Sequence, residues 1–190
     1  MILLVDNYDS FSFNLVQVIG ELAGDKEELK VIRNDELTVE EVMELAPSHI
    51  VLSPGPGKPS DAGICEELIK AALGKIPLMG VCLGHQAICE TLGGKITYAP
   101  ELMHGKQSKV KVDNTSVMFK GLPEEVVVAR YHSLVADKNS IPDELKVTAV
   151  DEKGEVMAVQ HKEYSLYGLQ FHPESIMTPM GKEMVKNFLA

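Results

Sequence analysis

The hydrophobic positions of this chain change rhythm halfway along. Up to residue 94, short continuous apolar runs alternate with stretches of helical spacing. Ile2–Val5 is a continuous run, so a strand buried on both faces, and Leu29–Ile32, Ile50–Leu52 and the short apolar run Ile76–Val81 are the further strands. Between the first two, Phe11, Leu15, Val18, Ile19 and Leu22 recur at helical spacing, with Ser10 as the expected N-cap and Gly24 as the stop. Thr38-Val-Glu-Glu41 is a capping box that opens a second helix through Leu45. A third helix is expected over Ile64–Leu73, and a fourth over Leu83–Leu92 with Gly93-Gly94 closing it. Such alternation builds a parallel sheet with helices on both faces.

After Gly94 the pattern predicts short strands at Lys95–Tyr98, Lys109–Val112, Val126–Ala129, Leu145–Val150, Val156–Gln160 and Tyr167–Phe171. Asp151–Glu155 reads as a hairpin turn. Thr178-Pro179 is expected to start a last helix, docked by Met184, Val185 and Phe188. The fold class expected is therefore α/β: a flavodoxin-like open parallel sheet with helices on both faces, plus additional antiparallel strands in the C-terminal half. No composition break marks a boundary, so residues 1–190 are expected to form one domain.

Composition narrows the function classes. The chain is 45% hydrophobic and 24% charged, as soluble globular proteins are. At this length it buries about 70% of its unfolded surface. A net charge of −10 argues against nucleic acid and against an anionic membrane surface. Three cysteines give neither a disulfide framework nor a zinc spacing, so a reduced, cytoplasmic protein is expected, with no metal and no cofactor. Met1–Val5 is too short for a signal peptide or a span. Ser53-Pro-Gly-Pro-Gly-Lys58 lacks the phosphate-loop spacing, and its prolines remove the N–H groups a phosphate would use.

Chemistry concentrates at Gly80-Val-Cys-Leu-Gly84, the cysteine form of a nucleophile elbow. Glycines are needed there because a Cβ on either side of so tight a bend would strike neighbouring backbone. The bend sets Cys82 at a helix N-terminus, where the dipole favours a thiolate. The alternative for Cys82 is a buried inert thiol, the fate expected of Cys65 and Cys89. A nucleophile needs a base. His172 ends an apolar strand, and Pro173 holds it extended so that His172 and Glu174 project together. His85, one helical turn after Cys82, and His132, after a strand, are the rival bases. His49 reads as structural, and His104 and His161 as loop or hairpin-edge residues. Oxyanion donors are expected from the backbone N–H of Leu83 and of Gly55, the latter in a loop stiffened by Pro54 and Pro56. Each such donor is worth about 3–4 kcal/mol to a transition state.

Five segments together resemble the class I glutamine amidotransferases: Asp6–Phe13, Ser53–Gly57, Gly80–Gln86, Arg130–Leu134 and Gln170–Ser175. They span nearly the whole chain, in family order. The likeness is greatest to the small subunits of anthranilate synthase and of aminodeoxychorismate synthase. The resemblance implies Cys82 as nucleophile, with His172 and Glu174 completing a triad, and Gly55 and Leu83 as the oxyanion hole. It implies glutamine contacts from Gly55, Pro56, Gly57, Gln86, Ser133 and Leu134. It further implies a partner, a large chorismate-binding synthase subunit that consumes the ammonia. Met103–Gly105 and Ile176–Met180 flank motif residues and are the expected docking face. Two other readings stand beside this one: a γ-glutamyl peptidase sharing the triad, and a non-catalytic regulatory subunit on the same scaffold.

Overall fold

The computed structural model describes all 190 residues. Strands and helices alternate through the first half: β1 (Ile2–Asp6), α1 (Ser12–Ala23), β2 (Leu29–Arg33), α2 (Val39–Glu44), β3 (His49–Leu52), α3 (Cys65–Ala72), β4 (Leu78–Val81) and α4 (Leu83–Thr91). The second half contributes β5 (Ile96–Val112), β6 (Glu125–Ala136), β7 (Leu145–Asp151), β8 (Val156–His161), β9 (Leu166–Leu169) and α5 (Gly181–Leu189). All nine strands join one sheet in the order β2-β1-β3-β4-β9-β8-β7-β5-β6. The first five in that order are parallel, and the pairings from β9 onward are antiparallel. This is the expected α/β class. No helix is long and apolar enough to cross a membrane.

The continuous apolar runs follow from burial on both faces. Ile2 and Leu4 join one core with α1 and α5, through Leu15, Ile19, Met184, Val185 and Phe188. Leu3 and Val5 join the opposite core with α3 and α4, through Leu68, Ile69, Leu83 and Ile88. The Thr38 capping box is present, with Glu41 N–H donating to Thr38 Oγ1 at 3.2 Å and Thr38 N–H donating to Glu41 Oε2 at 2.8 Å. Asp151–Glu155 is the tight turn joining β7 to β8, closed by Asp151 N–H to Glu155 O at 3.1 Å.

Four local expectations are corrected. Ser10 is exposed and does not cap α1. The preceding carboxylates hold that loop instead: Asp9 accepts from Phe11 N–H at 2.8 Å and Asp6 from the Ser12 hydroxyl at 2.7 Å. The two short strands expected at Lys95–Tyr98 and Lys109–Val112 are one 17-residue strand, β5, with register shifts after Tyr98 and His104. Most of its side chains are exposed, so no alternation of apolar positions announces it. The strand expected at Val126–Ala129 runs on to Ala136, so His132 lies inside β6 rather than after it. Finally, α5 starts at Gly181, not Thr178. The Thr178 hydroxyl donates to His172 O at 2.7 Å and accepts from Ala129 N–H at 2.9 Å, so it is unavailable as a cap.

The start of α5 therefore lies directly on the segment carrying His172. A Cβ at Gly181 would sit 1.8 Å from Pro173 O, whereas one at Gly20, inside α1, has its nearest neighbour at 4.0 Å. Gly181→Ala is expected to cost about 1–3 kcal/mol by overpacking. Gly20→Ala is expected to stabilise by about 0.5–1 kcal/mol. Urea unfolding of the two variants checks both signs.

Candidate active site

Cys82 occupies a backbone conformation that L residues rarely adopt, φ 52° and ψ −100°. Holding it costs about 1–3 kcal/mol. The restraints are local. Cys82 N–H donates to Leu169 O at 2.7 Å, and Cys82 O accepts from Gln86 N–H at 3.0 Å as the first turn of α4. A Cβ on Gly80 would lie 2.4 Å from the Gly84 backbone, and one on Gly84 would lie 2.7 Å from Leu52 O. The bend closes only because both positions lack a side chain. Cys82 keeps 7% of its surface open at the N-terminus of α4, whereas Cys65 and Cys89 are fully buried. Burial pushes the Cys65 and Cys89 thiols up to about 12, as expected of inert core cysteines.

Strand register brings His172 toward the sulfur. β9 pairs in parallel with β4, Val81 opposite Leu169, so the residues leaving the two strands, Cys82 and Gln170, emerge side by side. His172 follows two residues later. Its backbone is stitched to β6 by His172 N–H donating to Ala129 O at 3.0 Å. His172 Nδ1 lies 2.6 Å from Glu174 Oε1, with both side chains buried. Its Nε2 is buried and has no hydrogen-bond partner in the chain. Burial by itself lowers the imidazole pKa, but the neighbouring Cys82 and the Glu174 carboxylate outweigh it and push His172 up to about 10. Phe11 and Tyr131 wall the ring edge-on, at centroid separations of 6.4 and 5.2 Å.

The rival histidines sit in different environments. His85 is fully buried against Gly168 of β9, neither ring nitrogen has a partner, and burial lowers it to about 4. His132 is lowered to about 3 by burial and the Arg130 charge, and both its nitrogens are engaged, with Arg130 Nε at 3.1 Å and Leu134 O at 3.0 Å. Neither has a carboxylate partner such as Glu174 gives His172. His161, expected at a hairpin edge, is buried, and its Nδ1 accepts from Glu163 and Tyr164 N–H.

The loop after β3 lies on the other side of the elbow. A Cβ at Gly55 would be 2.9 Å from the Leu83 side chain and 2.5 Å from Asn7 Cβ, so the loop is pressed against both. Asn7 secures it: Asn7 N–H donates to Ser53 Oγ at 2.8 Å and Asn7 Nδ2 donates to Ser53 O at 2.8 Å. Pro56 and Gly57 form its exposed tip. Gln86 Nε2 donates to Leu134 O at 3.0 Å and to Gln170 Oε1 at 3.2 Å. Gln170 Nε2 in turn reaches Cys82 Sγ at 3.6 Å. Ser133 is exposed at the rim. Asn7 and Gln170 both lie in the motif segments, but nothing in their spacing predicts these contacts, which cross 46 and 84 residues of chain.

The three histidines give the fold a pH signature. His172 is raised when folded, so its contribution to stability is complete below its unfolded pKa, about 6.5, and is lost as pH rises through about 10. His85 and His132 are lowered, so theirs is complete above about 6.5 and is lost as pH falls through about 4 and about 3. Denaturation midpoints are expected to fall between pH 7 and pH 10 in the parent chain, and to fall less in His172→Gln.

Known proteins resemble this chain in sequence and fold. The family described as glutamine amidotransferase class-I matches residues 3–190. A 50% identical relative, "Aminodeoxychorismate/anthranilate synthase component 2" of Bacillus subtilis, is matched over 100% of this chain and 95% of its own length. "Anthranilate synthase component 2" of Pseudomonas aeruginosa is also 50% identical, over 100% of this chain and 94% of that one. "Bifunctional protein TrpGD" of Thermotoga maritima is 50% identical over 99% of this chain, which spans only 32% of that longer protein. Among solved structures, a glutamine amidotransferase of Thermotoga maritima superposes with a TM-score of 0.77 at 16% identity, covering 99% of this chain and 95% of its own. That last likeness is one of fold. The match over nearly every residue, with half-identical relatives along the full length, places this chain in the class I glutamine amidotransferase family.

Proposed function

We propose that Cys82, His172 and Glu174 hydrolyse glutamine and that the ammonia is handed to a chorismate-using synthase, anthranilate synthase in the first instance. The observation that carries the proposal is the pairing of an elbow cysteine with a buried imidazole held at 2.6 Å by a carboxylate. The Cys82 thiolate attacks the side-chain amide carbon of glutamine, forming a C–S bond and an oxyanion. The N–H groups of Leu83 and Gly55 receive that oxyanion. His172 Nε2 gives its proton to the amide nitrogen, the C–N bond breaks, and ammonia leaves a γ-glutamyl thioester. Water then loses a proton to His172 and attacks the thioester. The C–S bond breaks, releasing glutamate and the thiolate. Glu174 keeps the ring oriented and favours its charged form. Gln86 and the Ser133–Leu134 backbone, with the Gly55–Gly57 loop, hold the amino-acid end.

Ammonia that escapes into water at neutral pH becomes ammonium and is no longer a nucleophile, so its consumer has to dock close to Cys82. The relatives named as synthase components support a chorismate-using partner, and the Bacillus subtilis relative, named for both synthases, supports aminodeoxychorismate synthase as the second candidate. A cavity of about 350 Å³ beside the triad is lined by Phe11, Tyr131, His172, Glu174 and Ile176, among others. Ile176 is 97% exposed at its edge, and Gln107 Nε2 donates to Met177 O at 2.8 Å, tying that segment to β5. Met103, expected on this face, packs inward, and its neighbour Leu102 is the exposed one.

Cys82→Ala is expected to lower glutamine-dependent product formation about a thousandfold or more. With free ammonia and a large subunit, product formation should stay within about twofold of the parent chain, because the synthase site is untouched. Anthranilate as product supports the first partner and aminodeoxychorismate the second. Cleavage of γ-glutamyl peptides with none of free glutamine replaces the proposal with the peptidase reading. Ile176→Asp is expected to weaken the complex about tenfold or more, about 1.4 kcal/mol, in a titration against the large subunit.

A further inference from the structure

β6 carries a buried charge that the proposed reaction does not consume. The Arg130 side chain is 2% exposed and donates from one terminal nitrogen to Asp151 Oδ2 at 2.8 Å. The other Asp151 oxygen accepts from Lys153 and Glu155 N–H at 2.9 and 2.8 Å, so the β7–β8 turn fixes the carboxylate. A buried ion pair is a poor source of net stability, because desolvation offsets its attraction. What it does fix here is geometry.

Arg130 Nε donates to His132 Nε2 at 3.1 Å. A guanidinium has no lone pair to offer, so Nε2 must accept and the ring proton must sit on Nδ1. Nδ1–H then donates to Leu134 O at 3.0 Å. The ring is held neutral by burial, with a pKa near 3, so this tautomer persists at any working pH. Leu134 O also accepts from Gln86 Nε2 at 3.0 Å, so both its lone pairs are used within the chain. The second Gln86 amide hydrogen goes to Gln170 Oε1 at 3.2 Å. Gln86 is left with its own Oε1, which accepts no hydrogen bond from the chain and is not sealed from solvent. A carbonyl oxygen held in this way suits an ammonium group and repels a carboxylate.

We propose that Arg130 and His132 are positioning residues that, through the Leu134 carbonyl, hold the Gln86 amide with Oε1 offered to the α-ammonium of the bound amino acid. This rests on the glutaminase reading above and names how that site distinguishes the amino end of its substrate from the carboxylate end. If the Nδ1 donor is lost, Leu134 O is held by Gln86 alone, so the carbonyl and the amide bonded to it can shift together and Oε1 is no longer fixed where the ammonium binds.

The test uses the diazoketone analogue of glutamine, which alkylates the elbow cysteine, on the chain with its synthase subunit present. Labelling kinetics give a half-saturating concentration and a limiting rate, and iodoacetamide reads the sulfur alone. In His132→Leu the half-saturating concentration is expected to rise about tenfold or more, while the limiting rate and the iodoacetamide rate stay within about threefold. The analogue lacking the α-amino group is expected to label His132→Leu and the parent chain alike. His132→Asn, which can place an amide N–H where Nδ1–H was, is expected to recover most of the loss. A fall in limiting rate with half-saturation unchanged overturns the proposal, as does an equal loss with the des-amino analogue or an Asn variant no better than Leu. A parent chain that reacts with iodoacetamide but never with the diazoketone overturns the glutaminase reading, and this proposal with it.

Discussion

The parallel pairing of β4 with β9 sets the geometry on which everything at the site depends. Val81 opposite Leu169 means that the sulfur-bearing bend and the histidine-bearing segment leave the sheet together. β3 lies on the far side of β4, so its exit loop reaches the same spot from the opposite direction. Three adjacent strand ends thus bring Cys82, His172 and the Gly55 loop together without any long excursion of the chain. A slip of one residue between β4 and β9 would send His172 to the other face. The two hydrophobic cores that bury both faces prevent that slip, because each strand residue has a partner layer only in the observed register.

Environment, not residue type, then assigns the chemistry. Of three thiols, two lie in apolar cores where burial holds them protonated, and one stands at a helix start beside an imidazole. Of three buried histidines near the site, one has a carboxylate at hydrogen-bond distance and two do not, and their protonation preferences separate accordingly. The cost of the strained Cys82 backbone is met by neighbours that leave it no alternative. Glycines stand at the two positions where a methyl group would collide, and Leu169 O anchors the cysteine amide.

Much of this was legible in the sequence because it is local. The parallel half follows from apolar runs and helical spacing, the elbow from two glycines around a cysteine, and the His172–Glu174 pair from an intervening proline. What escaped is non-local. The continuity of β5 between its two expected ends was hidden because most of its side chains are exposed, leaving no alternation to read. Thr178 carries the signature of a helix cap, but tertiary contacts to His172 and Ala129 claimed its hydroxyl first. Asn7, Gln170 and the Arg130–Asp151 pair make contacts whose partners are set by the sheet order, and no spacing rule encodes that order.

Strand β9 comes late in the chain yet sits in the middle of the sheet, and this has a consequence for synthesis. A ribosome makes the elbow long before it makes the strand that completes it: Gln170 reaches Cys82 across 88 residues. At about 5–20 residues per second, the nascent protein spends seconds with a cysteine that has neither its imidazole nor its anchoring carbonyl. Cys82, His172 and the Leu169 carbonyl come together only when β9 enters the middle of the sheet, so assembly of the candidate site waits for nearly the whole chain.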